Sequence, residues 1–172
     1  LLKFNKDEKI IFGFSMNTHN RYSIQLASIL LKKKFKNSII ICGGPHITLT
    51  PIDTMNNCLD IDFAVIGEGE DIIVDLLNKI NNLDIDYENI SGICFRKNQK
   101  IILNPKRDRI KNLDLIPFSD RELLDIKKYP PIHIPGTDPN LVKGTNMIGS
   151  RGCPYQCVFC SVADQWGRMT TY

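Results

Sequence analysis

Short runs of continuous apolar residues punctuate the first half of the chain. KIIFGFS (9–15), SIIICGG (38–44) and DFAVIGEGE (62–70) lack alternation, the form expected of strands covered on both faces of a sheet. Between them the hydrophobic period lengthens. RYSIQLASILLKKKF (21–35) places Ile24, Ala27, Leu31 and Phe35 on one helical face, and EDIIVDLLNKI (70–80) does the same with Ile72, Leu76 and Ile80. Strand and helix in repeated alternation predict a parallel sheet with right-handed crossovers, a doubly wound α/β domain. Thr50 followed by Pro51 predicts a helix start.

After Asn82 the pattern changes. ISGICFRKNQKIILN (90–104) holds two β-rich runs joined by RKNQK, which predicts a hairpin at the domain edge. DLIPFSDRELLDIKKYPPIHIPG (114–136) is a proline-punctuated connector with one helical turn around Arg121 to Ile126. His133 lies in it and is assigned no function. TNMIGS (145–150) predicts a short strand just before a cluster of cysteines. The expected organisation is an α/β domain over 1–104, a linker over 105–143, and the start of a second domain over 144–172. Sheets of this class usually have about five strands or more. Only three precede the change of pattern, and the chain opens on leucine beside an internal-looking strand. The first strand-helix-strand segment is therefore expected upstream.

Composition narrows the function classes. The 172 residues carry a net charge of +3, too little to argue for nucleic acid or an anionic membrane as partner. The run Lys32-Lys33-Lys34 reads as a solvated helix end. No apolar run reaches the ~20 residues that span a bilayer, and no signal core opens the chain, so a cytoplasmic protein is expected.

Ligands of doubly wound domains bind at the carboxyl ends of the strands. Here those ends read SMNTHN (15–20), GGPHIT (43–48) and GEGE (67–70). Glycines there let the backbone approach a ligand. In any one loop they can merely turn the chain, and His19 and His46 can merely satisfy neighbours; three such loops at one crevice favour a large-ligand site. Glu68 and Glu70 also suit the first turn of the following helix, where negative charge complements the dipole.

Six cysteines divide into Cys42, Cys58 and Cys94, scattered among apolar neighbours, and Cys153, Cys157 and Cys160, spaced C-x3-C-x2-C. In a reducing compartment a bunch of thiols points to metal or redox chemistry. Three soft thiolates suit an iron-sulfur cluster with one iron lacking a protein ligand, and an open position suits catalysis. A zinc site completed by a distant residue, a disulfide and purely structural cysteines are the alternatives.

CPYQCVFC (153–160) resembles the signature of radical S-adenosylmethionine (SAM) enzymes. The resemblance implies that Cys153, Cys157 and Cys160 hold a [4Fe-4S] cluster and that Phe159 packs near the cluster and S-adenosylmethionine. Reductive cleavage of that cofactor would give a 5'-deoxyadenosyl radical. The upstream half, through GFSMNTHN, IIICGGPHITLTP, FAVIGEGE, SGICFRKN and LDLIPFSDRELL, resembles the cobalamin-binding domain of the B12-dependent branch. That similarity covers almost the whole chain and implies a Rossmann-like (flavodoxin-like) B12-binding domain lacking its first strands, followed by the first strand and cluster loop of a truncated (β/α) barrel.

By the same resemblance Ser15, Thr18, Gly43, Gly44, Pro45, His46, Gly67, Glu68, Gly69 and Glu70 would line cobalamin. The segment in which other B12 proteins carry the Asp-x-His-x-x-Gly motif is expected upstream, NTHN is not that motif, and His19 is not assigned to cobalt; the resemblance to the radical branch implies base-off, His-off binding. The implied activity is methyl transfer, or cyclisation or rearrangement, on a small-molecule substrate, with a flavodoxin or ferredoxin as electron donor. This chain alone is expected to be inactive. A radical SAM enzyme without cobalamin and a non-catalytic electron-transfer or sensor module are the competing readings.

Overall fold

The computed structural model describes residues 8–125, 128, 138 and 147–172. His133 and much of the expected linker, with Thr145 and Asn146, lie outside them. The chain forms β1 (Ile11–Ser15), α1 (Arg21–Lys34), β2 (Ile39–Gly43), α2 (Pro45–Leu49), α3 (Pro51–Asn57), β3 (Phe63–Val65), α4 (Glu70–Asn81), β4 (Ile93–Lys97), β5 (Lys100–Leu103) and α5 (Val162–Trp166). One five-stranded sheet has the order β1-β2-β3-β4-β5. Its first three strands are parallel, with Gly13 opposite Ile41 and Ile41 opposite Phe63. β4 then runs antiparallel to β3, and the predicted hairpin closes through Asn98 and Gln99, both at positive φ.

Alternation along the strands divides the core in two. Phe12, Phe14, Ile40, Cys42 and Ala64 face Ile24 of α1, Ile47 of α2 and Met55 of α3. Ile41, Phe63, Val65, Ile93 and Phe95 face Ile72, Leu76 and Ile80 of α4. Both helical faces read from the sequence are thus the ones that bury, although Ser28 joins the α1 face with its hydroxyl donating to the Ile24 carbonyl at 2.8 Å. Fully buried aliphatic side chains of this kind each cost about 2–5 kcal/mol when cut back to alanine.

Some expectations need correction. The third strand ends at Val65, because Gly67 at φ +80° turns the chain out of the sheet. The loop 43–48 is largely helical, with Pro45 opening α2. Thr50 does sit at the head of α3, but its hydroxyl donates back to the His46 carbonyl at 2.8 Å instead of capping. Residues 147–150 carry no strand; backbone pairing begins at Arg151, which bridges Thr171. Around Arg121 there is one turn, the Leu124 N–H donating to the Arg121 carbonyl at 3.2 Å, and Ile126 lies outside the described residues. Among the described residues no helix is long and apolar enough to cross a membrane.

Candidate functional site

The loops leaving β1, β2 and β3 are bonded to one another. Met16 N–H donates to the Gly43 carbonyl at 2.8 Å, and His46 N–H to the Met16 carbonyl at 3.0 Å. Gly67 N–H donates to the Thr48 hydroxyl at 3.0 Å. Gly44 holds φ +99°, and a Cβ there would lie 3.0 Å from the Met16 backbone and Ser15 Oγ, so a glycine is what lets the first two turns nest. Thr18 Oγ1 and His46 Nδ1 stand 3.1 Å apart. Ser15, Thr18, Gly43, Gly44, Pro45 and His46 therefore gather at the β1/β2 seam, while Gly67 to Glu70 stand beyond β3.

On the α4 side of the sheet a hollow of about 460 Å³ takes in Gly43 and Gly67 to Glu70, with Gly13, Ile41, Gly43 and Val65 as its floor and Ile73 and Trp166 as walls; Ser15, Thr18, Gly44, Pro45 and His46 do not line it. A Cβ on Gly13 would meet nothing within 4 Å. The hollow exists because two strands place glycine where neighbours place branched side chains. Glu68 and Glu70 stand at its rim, and Glu70 Oε2 is buried without a hydrogen-bond partner. An apolar floor with few converging polar atoms is the ordinary form of a small-molecule site. The open glycine floor and the orphaned acceptor both fit a flat, amide-bearing group such as cobalamin.

The same glutamates hold the C-terminal segment. Arg151 donates to Glu68 Oε1 at 2.8 Å and to Glu70 Oε1 at 2.5 Å, and its guanidinium lies 5.0 Å from the Trp166 ring centroid. Glu68 Oε2 accepts the Ile110 N–H at 2.6 Å. The side chains of Arg151 and Glu68 are only 13% and 7% exposed, so removing one partner strands a buried charge at about 3–5 kcal/mol. Burial works against the Arg151 charge, but hydrogen bonds and attraction from Glu70 and Glu68 outweigh it and hold its pKa above the ordinary value. Lys106 donates to the Asp164 carbonyl at 2.8 Å, and Arg109 to the carbonyls of Met169, at 2.6 Å, and Trp166.

The cysteine loop hangs from this anchor. Cys153 N–H donates to the Gly167 carbonyl at 3.1 Å, and Cys160 N–H to the Cys157 carbonyl at 3.1 Å. All three thiols are free, with Cys157 and Cys160 exposed, as is Phe159. Among the described residues no three His, Cys, Asp or Glu side chains converge as a metal-holding group. The donor set fits an iron-sulfur cluster in kind, three uncommitted thiols on one short loop, and binding would draw the loop together, as metals commonly complete their own sites. Arg151, Trp166, Lys106 and Arg109 were not singled out from the sequence. The available signal was chemical: two carboxylates on a glycine-rich loop need a cation, and the loop supplies none.

Residues 5–77 match the family described as the B12 binding domain. That stretch, from β1 into α4, is similar to this domain. Over 166 residues the chain is 36% identical to an uncharacterized methyltransferase of Pyrococcus horikoshii, covering 96% of the chain and 34% of that protein. Over 159 residues it is 30% identical to the anaerobic magnesium-protoporphyrin IX monomethyl ester cyclase of Synechocystis, covering 92% of the chain and 30% of the cyclase. Among solved structures, the radical S-adenosylmethionine methyltransferase TsrM of Kitasatospora setae, with cobalamin and a [4Fe-4S] cluster bound, aligns at a TM-score of 0.63 and 16% identity, covering 94% of the chain and 32% of TsrM. That last likeness is one of fold. The chain spans about a third of the length of these relatives.

Proposed function

We propose that the chain is part of a cobalamin-dependent radical SAM enzyme that performs methyl transfer or cyclisation on a small-molecule substrate. The observation that carries this reading is spatial. A loop bearing three free thiols is anchored by Arg151 at the rim of a glycine-floored hollow, at the carboxyl ends of the parallel strands. A cluster held there would supply one electron to S-adenosylmethionine, and cobalamin would supply methyl-transfer or second redox chemistry.

The chain's own residues have narrower tasks. Gly13 and Gly43 keep the floor clear, Ile41, Val65 and Ile73 exclude water, and Glu70 Oε2 offers an acceptor to a corrin carboxamide. Cys153, Cys157 and Cys160 would hold the cluster and leave one iron open, and Phe159 would pack beside S-adenosylmethionine. His46, already beside Thr18, is not needed as a cobalt ligand in a base-off, His-off site. An electron donor of the flavodoxin or ferredoxin kind would reach the exposed cysteine turn.

Mixing the chain with hydroxocobalamin, followed by gel filtration, tests the corrinoid part. The expected result is co-elution of protein and corrin absorption, weakened several-fold in Gly13→Val, whose Cβ meets nothing within 4 Å and whose branched side chain would occupy the floor of the hollow. Retention unchanged by Gly13→Val, or none in the wild type, would contradict this placement.

A further inference from the structure

Three segments far apart in sequence converge on Glu68: its own loop, the connector at Ile110, and Arg151, two residues ahead of Cys153. Arg151 spreads its guanidinium between Glu68 and Glu70 and covers the Trp166 ring. A planar fork bonded on two arms and stacked on a third side fixes orientation as well as distance. On the far side of the loop Arg151 exchanges backbone hydrogen bonds with Thr171, N–H to carbonyl at 2.8 and 2.7 Å. Gly67 and Gly69, which belong to the hollow, flank Glu68 directly. The residue that starts the cysteine loop is thus bonded to the residue that forms the rim of the hollow.

We propose that Arg151 is a positioning residue whose fork onto Glu68 and Glu70 sets the distance and orientation between the cysteine loop and the glycine-floored hollow. It acts through the two loops and touches no reacting atom. What it positions, a cluster beside a corrinoid, rests on the reading under Proposed function; the lock itself does not. Arg151→Lys keeps the charge and loses the fork. Glu70→Gln keeps the shape and loses one charge.

Trp166 is the only tryptophan of the chain and lies in the lock, so its fluorescence reports the geometry without any cofactor. In the cofactor-free chain Arg151→Lys is expected to raise acrylamide quenching of Trp166 several-fold and to speed exchange of the Cys153 amide. Glu70→Gln is expected to do so less, and the circular dichroism and urea midpoint of the α/β domain stay unchanged. Quenching and exchange equal to wild type would overturn the proposal, and so would a loss of helical signal in step with them, which would make Arg151 a residue of the fold. With hydroxocobalamin added, wild-type Trp166 emission should fall by energy transfer to the corrin, and fall less in Arg151→Lys at equal corrin content. If wild type binds no corrin, the functional reading fails while the cofactor-free comparison still decides the lock.

Discussion

Cys42 and Cys157 carry the same thiol in opposite settings. Cys42 is fully buried in β2, and burial first, then the negative charges of Cys58 and Asp62, push its pKa from 9.0 up to about 12. Burial raises Cys94 and Cys58 in the same direction, with Arg96 opposing it at both. Such thiols stay protonated and act as small apolar side chains, leaving the half-buried Cys153 and the exposed Cys157 and Cys160 as the available ligands. A stability consequence follows for Cys42. Between pH 9 and 12 the unfolded chain has released a proton that the folded chain keeps, so stability is full below pH 9 and falls through that window by about 1.4 kcal/mol per pH unit. Urea midpoints measured across it should decline, and decline less steeply in Cys42→Ala. Equal slopes in the two proteins would show that this thiol is not the source.

At the scale of elements, the C-terminal segment is a loop closed by the Arg151–Thr171 bridge and held by α5. Gly152 holds φ +93°, and a Cβ there would lie 2.1 Å from the Met169 carbonyl oxygen. Left-handed strain alone costs about 1–2 kcal/mol, and the clash with backbone adds to it. Gly152→Ala should therefore open the bridge: exchange at the Arg151 and Thr171 amides should quicken, and the reconstituted protein should hold less iron. Unchanged protection at both amides would mean that the bridge does not organise the cysteine loop.

The same scale explains what the sequence could and could not tell. α1 and α4 were legible because each repeats its apolar face for three turns or more against a sheet, and the hairpin was legible because β-rich runs flank polar turn residues. α2 and α5 have five residues each, too few for a period to declare itself, and β3 looked longer than it is because Ile66 stays buried after the strand has ended. The glycine loops were legible through local turn chemistry. Arg151 was not, since its partners lie 83 and 81 residues away and no local pattern records such a pairing.

Across the whole molecule, a five-stranded α/β domain and the cysteine loop are stitched together by Lys106, Arg109 and Arg151, with backbone carbonyls and two carboxylates as their acceptors. The stitching brings the β3 end of the sheet and the Cys153 anchor to one place, where the hollow lies. The central claim is that three thiolates there hold a cluster with one open iron. Anaerobic reconstitution with iron and sulfide, read by electron paramagnetic resonance after reduction and again after mild oxidation, tests it most directly. The account predicts one [4Fe-4S] cluster per chain, lost in Cys157→Ala, and conversion to [3Fe-4S] on mild oxidation because the iron without a thiolate leaves first. A preparation filled with zinc, or a cluster that survives both Cys157→Ala and oxidation, would contradict it.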